Sequence, residues 1–294
     1  MKVIVNGTKT YMNHIKISEL FYSIQGEGRY MGVPSVFLRT FGCNFKCAGF
    51  GMPKGELSEE RIGVARFIDF YKDYKSLPLV SSGCDSYASW DPAFRHLSPY
   101  YNTDEIVVKI MELLPHKRWV DEHLVITGGE PLLGWQRAYP ELLSYPEMIA
   151  LKELTFETNG TQPLHEDFKK FLQKQWHKQK GIETLTFSVS AKLSSSGEKR
   201  EDAICPEVVR EYELYGHTYL KFVIATNEDV EEVLDVVNIY RKNGFMGNVY
   251  VMPVGGTERV YSMNNKQVAK MAMKHGLRYS DRLQVPLFKN EWGT

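Results

Sequence analysis

The sequence predicts an α/β fold, a parallel sheet that closes partway into a (β/α) barrel. Two observations predict it. Short runs rich in β-branched and aromatic residues recur along the chain, and between them lie segments with apolar residues at helical spacing. Strands separated in this way pair in parallel through crossover helices.

The strand-like runs, in order, are Pro34–Thr40, His123–Thr127, Glu153–Glu157, Thr184–Ser190, Tyr219–Ala225 and Asn248–Met252. Each has the length and composition of a buried strand. Val107, Ile110, Met111 and Leu114 keep the i, i+3, i+4, i+7 spacing of a helix with one apolar face. Val230, Val233, Leu234 and Val237 repeat it, with Asn227 placed to cap the start and Gly244 to stop the helix. No internal repeat or low-complexity tract interrupts the pattern, so residues 1–294 are expected to form one domain.

One stretch breaks the rhythm. Between Cys47 and Cys84 lie 36 residues, too many for an ordinary strand-to-helix loop. Ser58 followed by Glu59 and Glu60 predicts a helix start, and Val64, Phe67, Ile68 and Tyr71 form an apolar stripe at helical spacing. A turn at Ser81-Ser82-Gly83 follows. Residues 48–83 are therefore expected to be an inserted helical segment.

With 43% hydrophobic and 24% charged residues, the composition is that of a soluble globular protein. Thirty-six basic residues balance thirty-six acidic ones, which argues against an extended phosphate-binding surface, so no nucleic-acid partner is expected. No apolar run approaches a membrane span, and the opening MKVIVNGTKTYMNHIKIS has no signal-peptide core. A cytoplasmic protein without a membrane partner is expected. In a reducing compartment the four cysteines suit metal ligation, reactivity or packing better than disulfides. Cys205 stands before Pro206 without a nearby partner and reads as structural.

The residues that carry chemistry begin with Gln25-Gly26-Glu27-Gly28, where an amide and a carboxylate alternate with permissive glycines. Such a loop can meet a planar ligand with several N–H donors. It is equally a polar turn when taken alone. Arg39 ends a strand and could clamp a carboxylate bidentately, or form a surface ion pair. Cys43 and Cys47, with three residues between them, can bind the same metal centre.

The segment from Ile17 to Cys47 resembles the 7-carboxy-7-deazaguanine synthase family of radical S-adenosylmethionine (SAM) enzymes. Phe21 to Gly28 and Gly32 to Arg39 match that family's opening motifs. Its C-x3-C-x2-C motif fails as written, because Phe50 occupies the place of the last cysteine. The family's continuation appears downstream at Cys84-Asp85-Ser86-Tyr87. The resemblance therefore implies Cys43, Cys47 and Cys84 as ligands of a [4Fe–4S] cluster with one iron open to SAM. It implies Ser86 as a Mg²⁺ ligand, where the family has threonine. Gly83 stands where the superfamily often has an aromatic residue.

Further motifs agree in order: Thr127-Gly128-Gly129-Glu130-Pro131, Glu157-Thr158-Asn159-Gly160-Thr161, and Ser188-Val189-Ser190-Ala191-Lys192, with Ala191 replacing the family's proline. Gln284 replaces a common histidine. The resemblance assigns Gly83, Asp85, Gly128, Gly129, Glu130, Thr158, Ser190, Ala191 and Lys192 to SAM. It assigns Ile24, Gln25, Gly26, Glu27, Arg39, Thr127 and the final carboxylate at Thr294 to substrate. It implies a radical SAM carbon–nitrogen lyase that contracts 6-carboxy-5,6,7,8-tetrahydropterin to 7-carboxy-7-deazaguanine with release of ammonia, in 7-deazaguanine (queuosine-type) biosynthesis. A radical SAM fold, a flavodoxin- or ferredoxin-type reductant and a homodimer come with it. Two alternatives stand beside this reading: another radical SAM enzyme, such as a glycyl-radical activase, or a zinc-stabilised binding protein using the three cysteines with His96 or Cys205.

Overall fold

The computed structural model describes residues 2–5, 8–11 and 13–294. Its strands are β1 (Lys2–Val5), β2 (Thr8–Tyr11), β3 (His14–Ile24), β4 (Pro34–Thr40), β5 (Tyr100–Asn102), β6 (His123–Gly128), β7 (Leu154–Thr158), β8 (Leu185–Val189), β9 (His217–Ile224), β10 (Val249–Pro253) and β11 (Arg278–Tyr279). β1 and β2 form an antiparallel pair of their own. The other nine make one sheet in the order β11-β10-β9-β8-β7-β6-β4-β3-β5. Neighbours from β4 to β11 are parallel, and β3 runs antiparallel to β4 and β5. β11 and β5 are the two open edges, so the sheet is the expected partial barrel.

Side-chain alternation along the parallel strands explains both the core and the site. Val36 and Leu38 of β4, Leu124 and Ile126 of β6, Leu154 and Phe156 of β7, and Leu220 and Phe222 of β9 enter one large core. Helix residues such as Ile106, Ile110, Phe168, Val230 and Val233 cover them there. The intervening residues face the barrel interior in layers. Ser35 pairs in register with His123, Phe37 with Val125, and Arg39 with Thr127. In the first layer His123 is fully buried, its ring nitrogens 3.3 Å from the Ser35 hydroxyl and 2.8 Å from the Thr155 hydroxyl. The next layer is apolar, formed by Phe21, Phe37 and Val125. Above it, at the carboxyl ends of the strands, come Arg39, Thr127, Glu157 and Lys221.

The helix after β9 spans Asn227–Lys242. Its cap is Thr226, one residue before the expected Asn227, because the Thr226 hydroxyl accepts the Asp229 amide at 3.2 Å. Residues 48–83 contain one short helix, Glu60–Arg66, which starts after Ser58 but ends before the expected stripe is complete. Phe67 sits at its end and is 58% exposed, and Ile68–Phe70 form a separate 3₁₀ turn. The helix stops early because the chain turns at Phe67 so that Tyr74, Leu77 and Val80 can pack against Tyr87, Ala88 and Phe94.

Candidate active site

Ligands of open parallel sheets bind beyond the carboxyl ends of the strands. A large group of chemistry-bearing side chains converges there, around one cavity.

On one wall lie Cys43, Cys47 and Cys84. They share an apolar cluster with Phe45, Phe50, Ala203 and Ile204. Cys84 reaches the pair because the excursion returns on itself. Ser58 donates its amide to the Ala48 carbonyl and Gly83 donates to the Phe50 carbonyl, each at 2.7 Å. The Cys47 end is fixed from another element, with Glu198 Oε1 accepting the Lys46 and Cys47 amides at 2.8 and 2.7 Å. Cys47 itself is left-handed at φ 49°. Burial pushes the Cys43 thiol up to about 12, with further upward pushes from Glu130 and Cys84. It also raises Cys47 and Cys84, so each thiol needs a compensating positive centre before it ionises. Among the described residues no three Cys, His, Asp or Glu side chains converge where one metal ion would sit. Three thiols on one wall of the cavity, set among apolar side chains, are a donor set that fits an iron–sulfur cluster.

The glycines of the Thr127-Gly128-Gly129 run serve close packing against that cysteine loop. A Cβ on Gly128 would lie 2.3 Å from the Thr40 carbonyl oxygen, and one on Gly129 would lie 2.8 Å from Cys43 Cβ. Glu130, expected at SAM, is wholly buried and stands behind the cavity rather than on its wall. Its carboxylate accepts from the Thr158 hydroxyl at 2.8 Å and from the amides of Asn159 and Leu132 at 2.6 and 2.9 Å. Burial outweighs those bonds and raises its carboxyl to about 7. Glu130 thus ties the end of β6 to the end of β7. Ala191 is likewise buried and off the wall, whereas Ser190 and Lys192 line it, 3.0 Å apart.

The opposite wall carries charge. Burial alone would push the Glu27 carboxyl up, but Lys221 and Arg282 pair with it and hold it at about 2. Gln284 Nε2 donates to the same carboxylate at 2.9 Å. Arg282 also pairs with Asp85, which keeps that carboxyl low despite its burial. Gln25 Nε2 donates to Glu157 Oε1 at 3.1 Å. Arg39 pairs with Glu19 at 2.9 Å and donates to the Ser86 hydroxyl at 3.1 Å. Ser86 in turn donates to Asp85 at 3.3 Å, so a hydroxyl and a carboxylate sit together as hard oxygen donors of the type Mg²⁺ takes.

Every residue assigned from the sequence lines this cavity except Glu130 and Ala191. Glu157, Lys221, Arg282 and Trp292 line it too, with no role assigned to them from sequence. Lys221 had a signal: it is the one charge in the run Tyr-Leu-Lys-Phe-Val-Ile, and a charge inside a buried strand implies a partner. Cys205 and the exposed His96 lie off the cavity wall.

A parallel α/β partial barrel with three thiols at the mouth of its strands defines a radical SAM enzyme. Comparison with known proteins gives the branch. A 7-carboxy-7-deazaguanine synthase from Halobacterium salinarum is 31% identical over 284 residues, covering 94% of this chain and 91% of the relative. One from Pyrobaculum aerophilum is 27% identical over 279 residues, covering 95% and 97%. The crystal structure of QueE from Escherichia coli shares the fold, with a TM-score of 0.53 at 17% identity over 91% of this chain and 93% of that one. No family model matches the chain. The chain belongs to the 7-carboxy-7-deazaguanine synthase family.

Proposed function

We propose that the cavity binds 6-carboxy-5,6,7,8-tetrahydropterin and contracts its ring to 7-carboxy-7-deazaguanine with release of ammonia, the step of 7-deazaguanine biosynthesis for which the family is named. The observation that carries this reading is the shared wall of Cys43, Cys47 and Cys84, closed by the Gly83–Phe50 hydrogen bond. When bound there, a [4Fe–4S] cluster and SAM supply the one-electron chemistry.

The chain's own residues bind, orient and exclude water. Cys43, Cys47 and Cys84 hold the cluster. Asp85, Gly128, Gly129, Thr158, Ser190 and Lys192 face SAM, while Glu130 positions the Thr158 and Asn159 turn from behind. On the substrate side, Ile24, Gln25, Gly26 and Glu27 meet the donor-rich edge of the pterin, and Thr127 and Thr294 flank it. Arg39 takes the substrate carboxylate in its guanidinium fork. Ser86, with Asp85 beside it, offers Mg²⁺ a hydroxyl ligand while substrate and water complete the shell. Such preorganisation holds the reacting carbon in place without moving a protein group.

Residues 1–294 act in this reading as one domain with 48–83 inserted, which the single large core supports. A flavodoxin- or ferredoxin-type reductant, a homodimer and a cytoplasmic setting complete it, carried by the family resemblance. Among the described residues no helix is long and apolar enough to cross a membrane. Anaerobic incubation with the carboxytetrahydropterin, SAM, Mg²⁺ and dithionite tests the reading. Appearance of the deazaguanine chromophore is expected; SAM cleavage without it would assign the site to another radical SAM reaction.

A further inference from the structure

The excursion between Cys47 and Cys84 touches a second element, far away in sequence. Tyr74, Leu77 and Val80 pack with Tyr87, Ala88 and Phe94 into a small core, and Trp292 packs on it. The Trp292 indole N–H donates to the Leu77 carbonyl at 3.0 Å. Its ring meets Tyr74 and Tyr87 edge-on, with centroids 5.5 and 5.6 Å apart. These edge-to-face contacts and the satisfied indole donor fix the ring in one orientation. Tyr87 is itself tied to the excursion by its hydroxyl, which donates to the Pro78 carbonyl at 2.7 Å.

Two residues beyond Trp292 the chain is at the cavity wall. Asn290, Glu291, Gly293 and Thr294 all line it, as do Leu79, Ser81 and Gly83 of the excursion. Among the described residues, the backbone–backbone hydrogen bonds of this segment stop at Glu291, whose amide donates to Phe288 at 3.1 Å. Beyond it the segment is held by side-chain bonds, the Trp292 indole to the Leu77 carbonyl and the Thr294 hydroxyl to the Glu291 carbonyl at 2.6 Å. Gly293, at φ +84°, comes beside Glu19, whose carboxyl burial raises while Arg39 and the Gly293 amide oppose that rise. Glu19 pairs with Arg39, and Arg39 reaches Ser86. The seat of Trp292 is thus connected to the group assigned to the substrate carboxylate.

We propose that residues 48–83 seat the segment 289–294, and that Trp292 is a positioning residue whose place against Tyr74, Leu77 and Tyr87 sets the pterin side of the cavity. This rests on the proposed function for what occupies that side. The excursion is then a structural partner of the pocket wall, which accounts for its position between two cluster ligands: the seat and the third thiol are built by one stretch of chain, Tyr74 to Tyr87. Loss of the ring should loosen residues 289–294 and weaken pterin binding, while leaving the thiols and the SAM side in place.

The experiment uses the holoenzyme and two readouts. Trp292→Ala and Tyr74→Leu are each compared with wild type by hydrogen exchange and by kinetics. Amide exchange at Lys289, Asn290 and Glu291, the hydrogen-bonded amides of the segment, is expected to speed up roughly tenfold or more in both, with β6 to β8 unchanged. KM for the carboxytetrahydropterin is expected to rise roughly tenfold, with KM for SAM and iron content at wild-type values. The double variant should be no worse than either single one, since both remove the same seat. Trp292→Phe, which keeps a ring in the seat, should recover most of the pterin affinity. Unchanged exchange in both variants would overturn the proposal, as would equal losses toward pterin and SAM. Should wild type fail to turn over the pterin, the functional reading falls, and the exchange measurement still decides the seat.

Discussion

Arg282 reaches Glu27 with its Nε 3.2 Å from the carboxylate, and both side chains are almost wholly buried. The same guanidinium pairs with Asp85 and donates to the Gly255 carbonyl. One side chain therefore joins the loop after β3, the residue after Cys84 and the turn after β10. Arg282→Met would leave the buried Glu27 with Lys221 as its one cation, beside the Gln284 amide, and would strip Asp85, whose side chain is 35% exposed, of its ion pair. Removing one partner of a buried pair costs about 3–5 kcal/mol. A fall in stability of that size is expected in urea unfolding of the apoprotein, together with loss of pterin turnover.

Gly129→Ala tests the packing of the cysteine loop. The added Cβ would lie 2.4 Å from the Gly42 carbonyl oxygen and 2.8 Å from Cys43 Cβ, both backbone-tethered atoms with little freedom to give. Overpacking of this kind costs about 1–3 kcal/mol. The readout is iron and sulfide per chain after anaerobic reconstitution, expected to fall well below wild type. Gly134→Ala, with open space around its Cβ, should reconstitute normally.

His123 gives the interior a pH signature. Burial lowers its pKa from 6.5 to about 3, so the folded protein keeps it neutral where the unfolded chain protonates it. Below pH 6.5 the unfolded state binds the extra proton, and stability falls as pH drops from 6.5 toward 3. The contribution is fully present above pH 6.5. His123→Asn is expected to flatten the decline in thermal midpoint between pH 6.5 and 5, at some cost in stability at pH 7.5 from the altered bonds to Ser35 and Thr155.

Ser86→Ala tests the Mg²⁺ assignment. Loss of one ligand hydroxyl to a charged centre is worth roughly 1.5–3 kcal/mol, or about tenfold or more. The Mg²⁺ concentration giving half-maximal turnover should rise by that factor, and Ser86→Thr should restore it. An unchanged Mg²⁺ dependence in Ser86→Ala would assign the ion elsewhere.

Much of the architecture was legible because the parallel strands obey local rules. Pro34–Thr40 forms as expected, and the five later strands shift by one or two residues. β3 escaped because Lys16, Ser18 and Glu19 interrupt its apolar run, although all three find partners in the fold: Lys16 bonds the Ser98 carbonyl, Ser18 the Ser98 hydroxyl and Glu19 the Arg39 guanidinium. The helix in 48–83 was cut short for a tertiary reason, the demand of the Tyr74–Leu77–Tyr87 core. Site residues within motifs were legible as neighbours in sequence. The partnership of Lys221 and Arg282 with Glu27 was not, since they meet it from 194 and 255 residues away, although the lone charge of Lys221 in its strand signals that a partner exists. Glu130 shows the converse: its motif marks it, but its carboxylate is taken up by the Thr158 hydroxyl and the Asn159 and Leu132 amides.

The account depends on Cys84 meeting Cys43 and Cys47 across a long excursion. Iron and sulfide content of anaerobically reconstituted Cys84→Ala and Cys205→Ala, with SAM cleavage measured alongside, tests it most directly. Cys84→Ala should lose the cluster and SAM cleavage, and Cys205→Ala should keep both. Full iron and undiminished SAM cleavage in Cys84→Ala would contradict the account.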